Sequence, residues 1–114
     1  MSLKVAIQMD PIGPINIDGD STFRIMEVAQ ARGHSLFYYT PDKLVFQEGR
    51  VTAKGWPVTV QRVHGDHFWL GDEIEVDLSD FDVLWLRQDP PFDMGYITTT
   101  HILDMIHPDT LVVN

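Results

Sequence analysis

The sequence has no cysteine, which removes disulfides, thiolate metal sites and thiol nucleophiles together and agrees with a reducing compartment. Positive charge is scarce too: eight lysines and arginines stand against seventeen carboxylates, a formal charge of −9. Such a surface repels nucleic acid and anionic lipid unless a basic patch intervenes, and none is visible, so neither nucleic acid nor a membrane is expected as a partner. No apolar run approaches the ~20 residues that cross a bilayer, and no charged leader with an apolar core opens the chain, so a soluble, cytoplasmic protein is expected. Phosphate-cradling signatures are missing. Asp10-Pro11-Ile12-Gly13-Pro14 stands where a Gly-x-Gly-x-x-Gly would follow a first strand, and there is no Walker lysine loop. No Ser or Lys nucleophile is arranged with a base. What remains is 114 residues, one small domain able to bury about 65% of its unfolded surface.

Taken in order, Lys4 to Met9 is a short apolar segment stopped by Asp10-Pro11 and predicts a central strand. Asp10 to Asp20 is rich in Pro, Gly, Asn and Asp, a long loop. Asp20 or Ser21 then caps a helix whose Thr22, Ile25, Met26 and Ala29 share one face, and Gly33 stops it. Ser35 to Tyr39 predicts a second strand, reached by a right-handed crossover. Alternation then breaks. Leu44-Val45-Phe46 and Arg50 to Ala53 flank a hairpin turn at Gln47-Glu48-Gly49, and Val58 to Val63 predicts a further strand, together an antiparallel insert. His64-Gly65-Asp66-His67 reads as a solvated turn, since two histidines without a partner cluster make a poor metal site. Asp72 to Asp80 reads as an acidic, solvated connection without calcium-loop spacing.

Val83-Leu84-Trp85-Leu86 is a buried strand that must stop near Arg87, because two consecutive prolines follow in Asp89-Pro90-Pro91-Phe92-Asp93. That segment is a stiff turn whose shape is set before any ligand arrives. A second helix is expected from Gly95-Tyr96, with Thr98, Ile102, Met105 and Ile106 buried and Pro108 ending it. His101 and Asp104, one turn apart, make a surface pair. Leu111 to Asn114 is a last parallel strand. The expectation is an α/β, Rossmann-like, mostly parallel doubly wound sheet with an antiparallel hairpin insert.

In such a sheet the first strand and the Val83 strand are neighbours, and ligands bind beyond their carboxyl ends. Asp10, Asn16, Asp20 and Ser21 would face Arg87, Asp89 and Phe92 there: a cation, several carboxylates, an amide and a helix N-terminus. This set suits a zwitterion with amino and carboxylate groups. Plainer alternatives stand beside it: Asp20 and Ser21 only cap the helix, Asp10 only starts a turn, and Arg87 only pairs with a nearby carboxylate. A signalling receiver domain competes by topology, but Arg87-Gln88-Asp89-Pro90-Pro91 fits that class badly.

Two long motifs carry a resemblance. Met9-Asp10-Pro11-Ile12, Ile15-Asn16-Ile17, Asp20-Ser21-Thr22-Phe23 and Ala29-Gln30-x-Arg32-Gly33-His34 closely resemble the opening of prokaryotic-type glutathione synthetase. Arg87-Gln88-Asp89-Pro90-Pro91-Phe92-Asp93, followed by Tyr96-Ile97, Thr100 and Ile102-Leu103, is similar to that family's most recognisable N-terminal stretch. The resemblance is colinear over nearly the whole chain and loose only from Pro41 to Phe81. It implies that residues 1–114 are a single N-terminal, pre-ATP-grasp domain of an enzyme that joins γ-glutamylcysteine to glycine. ATP and magnesium (or manganese) would make an acyl phosphate there, bound by an ATP-grasp domain absent from this chain. The chain by itself would then hold no cofactor and catalyse nothing, and the whole enzyme would be a homo-oligomer. By resemblance the substrate-binding residues are Asp10, Pro11, Asn16, Asp20, Ser21, Arg87, Asp89, Pro91 and Phe92. A stand-alone binding domain, or a related ATP-grasp amino-acid ligase, remains the alternative.

Overall fold

The computed structural model describes residues 2–87, 106 and 109–113. Its centre is β1 (Lys4–Gln8), whose apolar run is buried from Val5 onward. β1 pairs in parallel with β2 (Ser35–Tyr39) on one side and with β7 (Val83–Leu86) on the other, and β7 pairs in parallel with β8 (Leu111–Val113). The chain thus leaves β1 in one direction first and returns to its other flank later, the doubly wound pattern expected from the sequence.

One helix, α1 (Ser21–Ala31), crosses from β1 to β2. Asp20 caps it by accepting the Phe23 N–H at 2.8 Å. At the other end Gly33 takes φ +85°, its N–H reaches the Gln30 carbonyl, and the His34 N–H reaches that of Ala29. This paired closure needs a left-handed residue, which is why glycine stands there. Alternation along β1 divides the core. Val5, Ile7 and Met9 pack with Phe23, Met26 and Ala29 under α1, while Ala6 on the opposite face joins Phe37, Tyr39, Leu78, Phe81, Leu84 and Ile106.

Between β2 and β7 lies the antiparallel insert: β3 (Leu44–Gln47), β4 (Arg50–Val60), β5 (Phe68–Leu70) and β6 (Ile74–Asp77). The β3–β4 hairpin turns at Glu48 and Gly49, both with positive φ, the geometry that matches the twist of two flanking strands. Three expectations need correction. Arg50 to Ala53 and Val58 to Val63 are not separate strands. Arg50 to Ala53 and Val58 to Val60 are parts of one strand, β4, that pairs with β3 and β6 through its first half and with β2 and β5 through its second, while Gln61 to Val63 lie beyond its end. Asp72 to Asp80 is more than a connection: although Asp72 to Glu75 and Asp80 are exposed as expected, Ile74–Asp77 adds to the sheet, and the 3₁₀ turn Leu78–Asp80 buries Leu78 completely. Thr110, also fully buried, ties that turn to β8 by its hydroxyl, which lies 2.8 and 2.7 Å from the Leu78 and Phe81 carbonyls. The third correction is His67, described below. The proline turn and the expected second helix, including His101 and Asp104, lie outside the described residues, apart from buried Ile106.

Candidate functional site

Because β1 and β7 run in parallel with Gln8 opposite Leu86, their carboxyl ends open onto the same edge. The Arg87 N–H extends the ladder by one bond, to the Gln8 carbonyl at 2.7 Å. The Arg87 side chain then reaches to the start of α1, where Nη2 donates to Ser21 Oγ at 2.7 Å and Nε to Thr22 Oγ1 at 3.2 Å. A guanidinium now stands at the positive end of a helix whose first turn adds no acidic residue to the Asp20 cap, which meets the Phe23 N–H. Both features attract an anion, and they converge.

The expected residues divide as follows. Asp20, Ser21 and Arg87 come together at this edge, Asp20 as the cap and Ser21 as an acceptor for Arg87. Asp10 is half-buried just past β1 and Pro11 is exposed beside it. Asn16 is exposed on the loop, but its Oδ1 already accepts the Asp18 N–H at 3.1 Å and its carbonyl accepts from Gly19. No hydrogen bond joins Pro11 or Asn16 to Arg87 among the described residues. Asp89, Pro91 and Phe92 lie outside the described residues.

What holds the Asp10 to Asp20 loop in place is the insert. Arg62 donates to the Ile17 carbonyl at 2.7 Å, pairs with Glu27 on α1 and lies 5.4 Å from the Phe23 ring centre. Glu27 is also what raises the Arg62 pKa further. His64 pairs with Asp18 at 3.3 Å. His67 is not part of a solvated turn. It is 6% exposed, sits edge-on to Phe23 and lies 2.9 Å from the Ile12 carbonyl through Nε2. Since a carbonyl can only accept, Nε2 carries the proton. From the other side the Tyr38 hydroxyl accepts the Ile12 N–H at 3.1 Å. Burial pushes the Tyr38 phenol up, against the opposing pull of that N–H, and the Asp42 and Asp10 carboxylates push it the same way as burial. Tyr38, Arg62 and His67 escape sequence reasoning because each acts on a backbone group far away in sequence. The aromatic neighbour Phe68 is the one local hint that His67 turns inward.

The profile of the prokaryotic glutathione synthetase N-terminal domain matches residues 3–114. The chain belongs to that family. Among curated relatives it is 57% identical over 114 residues to glutathione synthetase of Brucella melitensis, 40% identical over 115 residues to that of Pseudomonas putida and 37% identical over 113 residues to that of Salmonella typhimurium. These alignments take in 98% or more of this chain and 36% of each relative, so it spans little more than a third of their length. In this member of the family the domain is an α/β sheet whose insert braces the loop after its first strand. Among the described residues no group of three or more His, Asp or Glu side chains is arranged to hold a metal ion, and no helix is long and apolar enough to cross a membrane.

Proposed function

We propose that this domain forms one wall of the peptide-substrate site of a ligase that joins γ-glutamylcysteine to glycine at the expense of ATP. One observation carries the reading: Arg87 and the N-terminus of α1 converge on the carboxyl edge of β1 and β7, where a ligand carboxylate would find a fork-shaped donor and a helix end together. Family membership and the curated relatives' name support the same substrate class. Asp10, Pro11, Asn16, Asp20, Ser21, Arg87, Asp89, Pro91 and Phe92 would orient the peptide by charge and shape. Making and breaking bonds would fall to ATP and magnesium, held outside these residues. A cytoplasmic, homo-oligomeric enzyme, with residues 1–114 as its first domain, completes the proposal.

The test is calorimetric titration of the chain with γ-glutamylcysteine, beside the Arg87→Ala variant. Saturable heat that is lost in the variant supports the site. Equal heat in both chains would remove Arg87 from it.

A further inference from the structure

We propose that Tyr38 and His67 are positioning residues that clamp Ile12 so that the backbone on either side of it, the Pro11 carbonyl and the Gly13 N–H, faces the ligand. The proposal rests on the peptide-site reading above and adds a mechanism to it.

Ile12 is 2% exposed, whereas Pro11 and Gly13 on either side of it are exposed. Its two backbone groups are held by side chains from different parts of the chain: the N–H by the Tyr38 hydroxyl at 3.1 Å, the carbonyl by His67 Nε2 at 2.9 Å. Neither clamp residue is free to swing. The Tyr38 ring stacks on Trp56 with centres 5.6 Å apart, and His67 is flanked by Phe23 at 5.9 Å and Phe68 at 4.9 Å. The backbone of His67 is itself fixed, because its carbonyl accepts the Gln61 N–H at 3.0 Å.

Peptide geometry turns these two bonds outward. In a trans peptide the N–H and C=O of one plane point in opposite directions. Holding the Ile12 N–H inward therefore turns the Pro11 carbonyl outward, and holding the Ile12 carbonyl inward turns the Gly13 N–H outward. Among the described residues neither outward group has a hydrogen-bond partner in the chain. An acceptor and a donor then stand one residue apart on the exposed side of the loop. They match an ammonium and a carboxylate on one α-carbon, the chemistry of an amino-acid terminus. Pro11 and Pro14 stiffen the backbone between which the clamp works.

The variants are Tyr38→Phe, His67→Leu and His67→Gln, the last keeping an N–H donor near the Nε2 position. Two readouts are needed, amide exchange across Asp10 to Asp18 without ligand and calorimetric affinity for γ-glutamylcysteine. The expected result is faster loop exchange and affinity lowered roughly tenfold, the scale of one lost hydrogen bond, for Tyr38→Phe and His67→Leu, with both restored in part by His67→Gln. Unchanged loop exchange in folded His67→Leu and Tyr38→Phe chains overturns the clamp, whatever the ligand does. Faster exchange with unchanged affinity overturns the presenting role alone. If the parent chain takes up no γ-glutamylcysteine, the peptide-site reading and the presenting role fail together, and the exchange data still decide the clamp.

Discussion

The α-carbon of Gly55 approaches the Tyr38 carbonyl so closely that a Cβ on residue 55 would lie 2.2 Å from that oxygen, and 2.8 Å from the Tyr39 Cβ. Here β4 leaves its pairing with β6 and takes up its pairing with β2. Glycine in a strand often marks such a corner, where one backbone must pass close to another. The obstacle is main chain, which cannot rotate aside. Gly55→Ala should therefore cost about 3 kcal/mol or more, at the upper end for a small-to-large change. A urea midpoint within error of the parent chain would contradict this.

A second join at the same strand is made by a side chain. The Gln30 amide donates to the Val60 carbonyl and accepts the Val60 N–H, each at 2.8 Å, replacing the neighbouring strand that β2 no longer provides beyond Leu36. Gln30→Leu keeps much of the volume and removes both bonds, and should destabilise by about 1–3 kcal/mol. Gln30→Glu should fall in the same range, since a carboxylate cannot donate to the carbonyl. Thermal unfolding of the two variants side by side checks both statements.

These two joins explain which parts of the fold are legible in sequence. β1, α1, β2 and β7 are, because alternation, an Asp cap and the Gly33 stop are local signals that the packed structure preserves. The placement of β1 between β2 and β7 follows from chain topology. β4 is not legible. Gly55-Trp56-Pro57 carries the marks of a break, and only the approach to Tyr38 makes the glycine a corner within a continuous strand. β6 is hidden by charge: Glu73, Glu75 and Asp77 read as solvated, while the residues that seat this segment are Ala53 across the ladder and Leu78 just after it. At the site, the Asp20 cap and the place of Arg87 at the strand end can be read from spacing. The bonds of Arg87 to Ser21 and Thr22, and the clamp on Ile12, need the third dimension.

Gln8 and Tyr39 share a hydrogen bond of 2.8 Å, and both residues are wholly buried. Burial holds the Tyr39 phenol far above its ordinary value. A folded-state pKa above the unfolded value means that the stabilisation is complete below pH ~10 and is lost as pH rises from there toward the folded value. Tyr39→Phe should cost about 1–3 kcal/mol at neutral pH by removing the donor to Gln8. It should also flatten the alkaline fall in stability, which denaturation at stepped pH will reveal.

Asp77 behaves in the opposite sense. Its carboxylate accepts from the Ser79 hydroxyl at 2.6 Å, the Ser79 N–H at 3.0 Å and Arg50 Nε at 3.3 Å. The Ser79 bonds lead, and Arg50 assists, in holding its pKa below the usual carboxylate range. A lowered folded-state pKa gives stabilisation that is present above the unfolded value of ~4 and is lost as pH falls through the folded one. The stability gap between the parent chain and Asp77→Asn should be widest near neutral pH and close below pH ~4. A gap that stays constant across the acid range would rule out the carboxylate charge as its source.

Arg87→Lys separates charge from shape at the candidate site. The guanidinium spans two acceptors, Ser21 Oγ and Thr22 Oγ1, by two different nitrogens, whereas an ammonium is a point donor on a flexible stem that cannot reproduce the fork. If charge alone drew the ligand, lysine would bind almost as well as arginine. The bonded geometry argues otherwise, because the fork is oriented before the ligand arrives and its immobilisation is already complete. Arg87→Lys should therefore weaken γ-glutamylcysteine binding by about 1.4–2.7 kcal/mol, roughly ten- to hundredfold. Because Arg87 is only half-buried, its effect on stability should stay within about 1 kcal/mol. Ser21→Ala in the Arg87→Lys background should then add little to the binding loss, since the hydroxyl acts by steadying the guanidinium. Independent, additive losses in the double variant would mean that Ser21 meets the ligand directly.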